Sequence, residues 1–327
     1  GDVYKRQVVG EYGSLGCSGD LAPLAHCALV LTGEGTVLTP DGDEVDAATG
    51  LAQAGLKPVS LREKEGLALI NGTDGMLSQL IMALADLDVL VPTADLATAM
   101  TVQALCGIDR VFAPDLQALR PHPGQATSAA NILALLEGSD LIQAGREGAA
   151  KRVQDAYSLR CAPQVHGAVR DTMAHALQVA KVELASAVDN PVITDDMRVE
   201  SNGNFHGAPV AYVLDFLAIA AADLASMSER RTDRMLDPAR NRDLHPFLAD
   251  DPGVDSGHMI AQYTQAGIVS DMKRLAVPAS VDSIPTSAMQ EDHVSMGWSA
   301  ARKLRRAIDG MGAVSYTHLT LPTIYSV

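Results

Sequence analysis

Apolar positions recur along most of this chain at spacings of three and four, the repeat that lines one face of an α-helix. Over 164–188, Val165, Val169, Met173, Ala176, Ala180, Leu184 and Val188 keep that spacing. Pro163 stands at the start and Asn190-Pro191 after the end. The pattern predicts a helix of about seven turns at roughly 3.6 residues per turn. Over 208–233 the pattern changes, because Val210, Val213, Leu214, Phe216, Leu217, Ile219, Leu224 and Met227 leave almost no polar face. That length could span a bilayer, but Asp215 and Asp223 inside the run argue against it. The segment is expected inside a helix bundle or between subunits. A third helix is predicted over 287–309, with Ser287 and Gln290 as a capping box. Residues 34–47 read instead as a small hairpin, since Thr36-Val37-Leu38-Thr39 and Glu44-Val45 flank the turn residues Pro40-Asp41-Gly42. The expected fold is mainly α, a bundle of long helices with a small β-hairpin near the N-terminus.

Composition narrows this further. The 327 residues are 47% hydrophobic but only 4% aromatic, which favours closely packed helices over a β-sandwich. A formal net charge of −15 makes nucleic acid and anionic membranes poor partners. Cys17, Cys27, Cys106 and Cys161 form no CxxC pair, and the N-terminus has no secretory pattern. A reduced cytoplasm is expected. The nine histidines show no metal-ligand spacing, so no metal is expected. The end segments GDVYKRQ (1–7) and SYTHLTLPTIYSV (315–327) look like non-native sequence abutting a coherent core over 8–314, and they are set aside from fold reasoning.

The chemistry concentrates at Gly16-Cys17-Ser18-Gly19-Asp20. Taken alone, this pentapeptide fits an ordinary loop, a Cys17 thiolate paired with a distant histidine, or a stretch that cyclises on itself. A serine nucleophile elbow is ruled out by spacing, because Gly19 follows Ser18 directly. In the cyclising reading the Gly19 amide nitrogen attacks the Cys17 carbonyl carbon. Glycine suits that position because it tolerates strained dihedrals. Loss of water closes a five-membered ring, and loss of the Ser18 hydroxyl leaves an exocyclic methylene open to attack by an amine.

The longer string GSLGCSGDLAPLAH (13–26) resembles the signature of the aromatic amino-acid ammonia-lyases, in which Ala-Ser-Gly forms the methylidene-imidazolone group (MIO). Cys17 stands where the family usually has alanine. Four further segments resemble the family in the same order: KEGLALINGT (64–73), QDAYSLRCAPQ (154–164), SNGNFHGAP (201–209) and SVDSIPTSAMQEDHVSMG (280–297). Arg160 carries a planar, permanently charged fork suited to a carboxylate, with Tyr157 one turn away if the stretch is helical. Ala156 replaces the proline of many relatives. The resemblance implies an ammonia-lyase/fumarase-like helical bundle and a self-made MIO from Cys17-Ser18-Gly19 with no external cofactor. It implies Tyr157 beside that group and Arg160 on the substrate carboxylate. Asn71, Gln154, Phe205 and Gln290 would contact substrate. His206 reads as a structural histidine before a proton carrier.

In the histidine-specific branch the glutamate of the last segment meets the substrate imidazole, so Gln290-Glu291 tilts the expectation to L-histidine, converted to urocanate and ammonia. Phenylalanine or tyrosine ammonia-lyase, an aminomutase on the same ring, or a noncatalytic helical oligomer remain the alternatives. The family's general base is a tyrosine upstream of the ring, and neither Tyr4 nor Tyr12 matches its context. The chain is therefore expected to be a fragment, inactive alone, of a homotetrameric enzyme.

Overall fold

The computed structural model describes residues 6–147 and 153–323. In chain order, β1 (Arg6–Gln7) precedes α1 (Leu21–Leu31), β2 (Thr36–Leu38), β3 (Glu44–Asp46), α2 (Ala47–Gln53), α3 (Glu65–Ala68) and α4 (Asp74–Ala104). Then come α5 (Pro114–Ala118), α6 (Pro123–Leu136), α7 (Asp140–Glu147), α8 (Tyr157–Arg160) and α9 (Ala162–Leu184). The rest comprises β4 (Val192–Ile193), β5 (Val199–Glu200), α10 (Ala208–Leu236), α11 (Met259–Leu275) and α12 (Gly297–Thr323). The mainly α expectation holds, and so does the hairpin. β2 and β3 pair antiparallel with Val37 opposite Val45, and β1 adds a third strand beside β2.

Two compact units divide the chain. One comprises residues 1–81, 178–214 and 279–302, and the other 82–177, 215–278 and 303–327. In the first unit Val30, Val37 and Ala47 form a small apolar cluster under the hairpin. In the second a larger core gathers Val102, Leu105, Phe112, Ile132, Leu136, Leu159, Met235 and Leu248. Leu159 is 1% exposed there, so it anchors α8 while its neighbours Tyr157 and Arg160 remain at or near the surface.

Three expectations from the periodicity need correction. The helix placed over 164–188 is α9, which starts with Pro163 in its first turn, where a missing N–H costs nothing. It stops at Leu184, short of Asn190-Pro191. The helix placed over 287–309 begins only at Gly297. Ser287, Ala288 and Met289 have φ of 50°, 53° and 71°, which no α-helix accepts, so the Ser287–Gln290 capping box does not form. The helix over 208–233 is α10, but it is not buried all round: Tyr212, Phe216 and Ile219 are 58%, 49% and 44% exposed along one stripe. It is long and apolar enough to cross a membrane by composition, yet 67% of its most apolar window is buried within the protein. Of the two end segments set aside, residues 6–7 form β1 and 315–323 continue α12, while 1–5 and 324–327 lie outside the described residues.

Candidate active site

The loop at 16–19 lies in the first unit and is held from several sides. Leu15 O accepts from Met296 N at 2.8 Å, and Gly16 O accepts from Gly207 N at 2.9 Å and from Ser295 Oγ at 2.7 Å. Asp20 N donates to Gly72 O at 2.7 Å. Between these anchors Gly16 and Gly19 take φ of 71° and 79°. Cys17 and Gly19 pair with each other as an isolated bridge, with Ser18 at the apex. A Cβ on Gly19 would run into the backbone of Gly72. The two partners of the proposed ring closure therefore sit on a bend that only glycine at 19 permits. These residues fit an MIO precursor.

Glu291 reaches this loop. Ser18 Oγ donates to Oε1 at 2.5 Å, and Cys17 Sγ donates to Oε2 at 3.3 Å. Thr286 Oγ1 also donates to Oε2, at 2.6 Å. Backbone bonds run both ways between Thr286 and Glu291, at 3.0 and 3.3 Å, and fix the residue. The hydrogen bonds from Ser18 and Thr286 outweigh partial burial and hold the Glu291 carboxyl below the usual range, so it is ionised at neutral pH. Burial and the neighbouring Glu291 push the Cys17 thiol up, so it stays protonated and acts as a donor. Asp20 accepts from Ser14 Oγ and Met76 N, both at 2.7 Å, yet burial raises its pKa to about 6.

Asn71 is 5% exposed, and its amide donates to Asp189 Oδ1 at 3.1 Å and Asn190 O at 2.8 Å. Lys64 pairs with the same Asp189. Burial opposes ionisation of Asp189, but Lys64 and Asn71 prevail and keep its carboxyl below the ordinary range. The Asn71 amide donors are thus engaged by protein. Phe205 is half-buried, two residues before the Gly207 contact with Gly16. Ala208 N donates to His206 Nδ1 at 3.4 Å, which leaves Nε2 to carry the proton and face His293 O at 3.3 Å. The His206 and His293 rings stack with centroids 5.4 Å apart. An open cleft of about 580 Å³ runs beside His206, lined also by Glu183, Val188 and Asn204. Gln290 is exposed in the turn before Glu291.

Gln154, Tyr157 and Arg160 belong to the second unit. Tyr157–Arg160 is a single helical turn, and the guanidinium of Arg160 lies 4.6 Å from the centroid of the Tyr157 ring. Arg160 Nε donates to Asp155 O at 2.9 Å, which sets the plane of the fork. Tyr157 is 68% exposed and Gln154 is exposed. Behind this turn Arg231, wholly buried, donates to Ser158 O at 3.3 Å. Burial lowers its pKa to about 9. Asp95 nearby binds His166 Nδ1 at 2.7 Å and Arg170 at 2.6 Å.

The structure thus brings Cys17, Ser18 and Glu291 into direct contact and places Asn71 beside the Gly72 that packs on Gly19. Sequence reasoning missed Asp189 as the partner of Asn71, and Lys64 as the cation paired with that Asp189. Asp189-Asn190-Pro191 offered a turn signal there, but nothing local paired it with a residue 118 positions earlier.

These features define a tightly anchored glycine loop, touched by a carboxylate, in a mainly helical fold. Residues 7–321 match the model of the aromatic amino acid lyase family, and this chain belongs to that family. A histidine ammonia-lyase of Streptomyces avermitilis is 71% identical over 304 residues, which are 93% of this chain and 59% of that protein. One from Streptomyces coelicolor is 68% identical over 316 residues, 97% of this chain and 62% of that protein. The chain therefore spans about three-fifths of the length of these curated relatives. Among solved structures, histidine ammonia-lyase from Trypanosoma cruzi superposes with a TM-score of 0.87 at 39% identity, covering 97% of this chain and 59% of that one. Tyrosine aminomutase from Streptomyces globisporus gives 0.89 at 37%, covering 98% and 64%.

Proposed function

We propose that this chain carries the electrophile-forming part of a carbon–nitrogen lyase that eliminates ammonia from L-histidine to give urocanate. Glu291 carries the choice of substrate. It is an ionised carboxylate touching Ser18, so a ring lying against it should be one that can donate a hydrogen bond or carry charge. Imidazole does both. The ring of phenylalanine offers neither, and burying an ionised carboxylate against it would be costly. The helical frame does not itself discriminate, since aminomutases share it.

The MIO made from Cys17-Ser18-Gly19 would supply an electrophilic methylene that makes the substrate nitrogen a better leaving group. The chain's own residues do the rest. Arg160, with its plane fixed by Asp155, would grip the carboxylate through its fork. Asn71 would accept from the substrate through Oδ1, and Glu291 would hold the imidazole. Phe205, Gln154 and Gln290 would shape the site, with Tyr157 beside the electrophile. The β-proton needs a general base. Tyr12 is not assigned that role, because it is 72% exposed with its ring under the Arg302 guanidinium, 4.2 Å from the centroid. The exposed stripe of Tyr212, Phe216 and Ile219 supports assembly into a homotetramer.

The test compares urocanate with cinnamate formation by this protein produced at the length of its relatives. Urocanate from histidine with no appreciable cinnamate from phenylalanine is expected. Comparable rates on both would overturn the assignment of Glu291.

A further inference from the structure

Ring closure does not involve the hydroxyl of Ser18, but the second dehydration does. That step breaks the Cα–H and Cβ–Oγ bonds of Ser18, forms a Cα=Cβ double bond and releases water. Hydroxide is a poor leaving group, so Oγ must gain a proton as Cα loses one. Oγ and Cα are separated by one carbon, so a single base at Oγ is placed to serve both.

Resting on the cyclising reading of Cys17-Ser18-Gly19, we propose that Glu291 is the proton carrier for this dehydration, so that it helps to build the electrophile before any substrate arrives. Its carboxylate takes the Cα proton and delivers a proton to Oγ, which departs as water. Glu291 returns to its starting state, and no oxidant or co-reactant is consumed. Three observations support the role. The 2.5 Å bond from Ser18 Oγ to Oε1 puts the carboxylate on the leaving group itself. The bond from Thr286 Oγ1 at 2.6 Å and the paired backbone of 286 and 291 hold it there. Cys17, a donor to the other oxygen at 3.3 Å, orients the carboxylate without competing for the proton. The ionised state set by these donors is the one a base requires.

The experiment is intact-mass measurement of the whole chain after expression, in the unaltered form and as Glu291→Gln, with circular dichroism to establish folding. The unaltered chain is expected to lose two waters. Glu291→Gln, close in shape but unable to accept a proton as a carboxylate does, is expected to lose at most the ring-closure water. Its second loss should be slowed about 100-fold or more. If Glu291→Gln does not fold, Glu291→Asp answers the same question. The shorter carboxylate draws back from Oγ, and the second loss should slow at least about tenfold. A folded Glu291 variant that loses both waters at the unaltered pace overturns the proton-carrier role while leaving the electrophile intact. An unaltered chain that keeps both waters overturns the electrophile itself, and this role with it.

Discussion

At the scale of single residues, Asp20 sits beside the glycine loop at 16–19 in a state that depends on pH. Burial, the largest influence, raises its pKa from 3.8 to about 6 despite the bonds from Ser14 and Met76. The unfolded chain gives up this proton near the ordinary value, so between about pH 4 and pH 6 the folded state binds more protons than the unfolded one. Stability from this group therefore falls as pH rises through that window and is level above it, a change of roughly 3 kcal/mol. Urea midpoints from pH 4 to 7 should show this slope in the unaltered chain and lose it in Asp20→Asn. Legibility divides at the same scale. The tight bend from Gly16 to Gly19 could be anticipated from sequence because it depends on contiguous residues and on glycine's tolerance of positive φ. The contact of Glu291 with Ser18 spans 273 positions, and the Lys64–Asp189 pair spans 125, so family resemblance could suggest such residues but no local pattern could join them.

At the scale of elements, the interiors of α9 and α10 were readable because burial imposes the helical repeat, whereas their ends and neighbours obeyed other forces. Ser287 and Gln290 have the right residue types for a cap, but the backbone pairing of Thr286 with Glu291 turns that stretch into a left-handed bend. The bend is what aims Glu291 at the loop, so the failed helix start is part of the site. Within α10, Asp215 is one of the two charges that argued against a membrane span. It is 5% exposed along its side chain and accepts from Lys303 at 2.7 Å. Lys303→Met removes one charged hydrogen bond from that buried carboxylate and should cost about 1–3 kcal/mol. The double change Asp215→Leu with Lys303→Met should recover most of the loss. Denaturant midpoints of the single and double variants check both expectations, and a double variant as weak as the single would contradict them.

At the scale of the whole molecule, a net charge of −15 works against compaction through self-repulsion. Salt screens such exposed charges over about 10 Å at 0.1 M. Raising ionic strength from near zero to physiological should therefore stabilise the chain. Each 1 kcal/mol gained would appear as a rise in Tm of roughly 1.5 °C, read by calorimetry. A Tm that falls with salt would mean that the many ion pairs, such as Arg146–Asp109 and Arg305–Asp86, outweigh the excess of acid. Overall charge was plain from composition. The stripe of Tyr212, Phe216 and Ile219 was not, because an all-apolar helix gives no sign of which face its own chain leaves uncovered.

The contact between Gly19 and Gly72 has a stereochemical consequence. With φ at 79°, position 19 adopts a backbone that an L-residue resists and a D-residue prefers, as its mirror image. The obstructing Gly72 backbone lies on the side where an L side chain would project. The fold thus treats this position as one of inverted handedness, and glycine is the one genetically encoded residue that can stand in for it. A semisynthetic D-alanine at 19 would carry a methyl group on the opposite side, and would separate the handedness that the bend requires from the mere absence of a side chain.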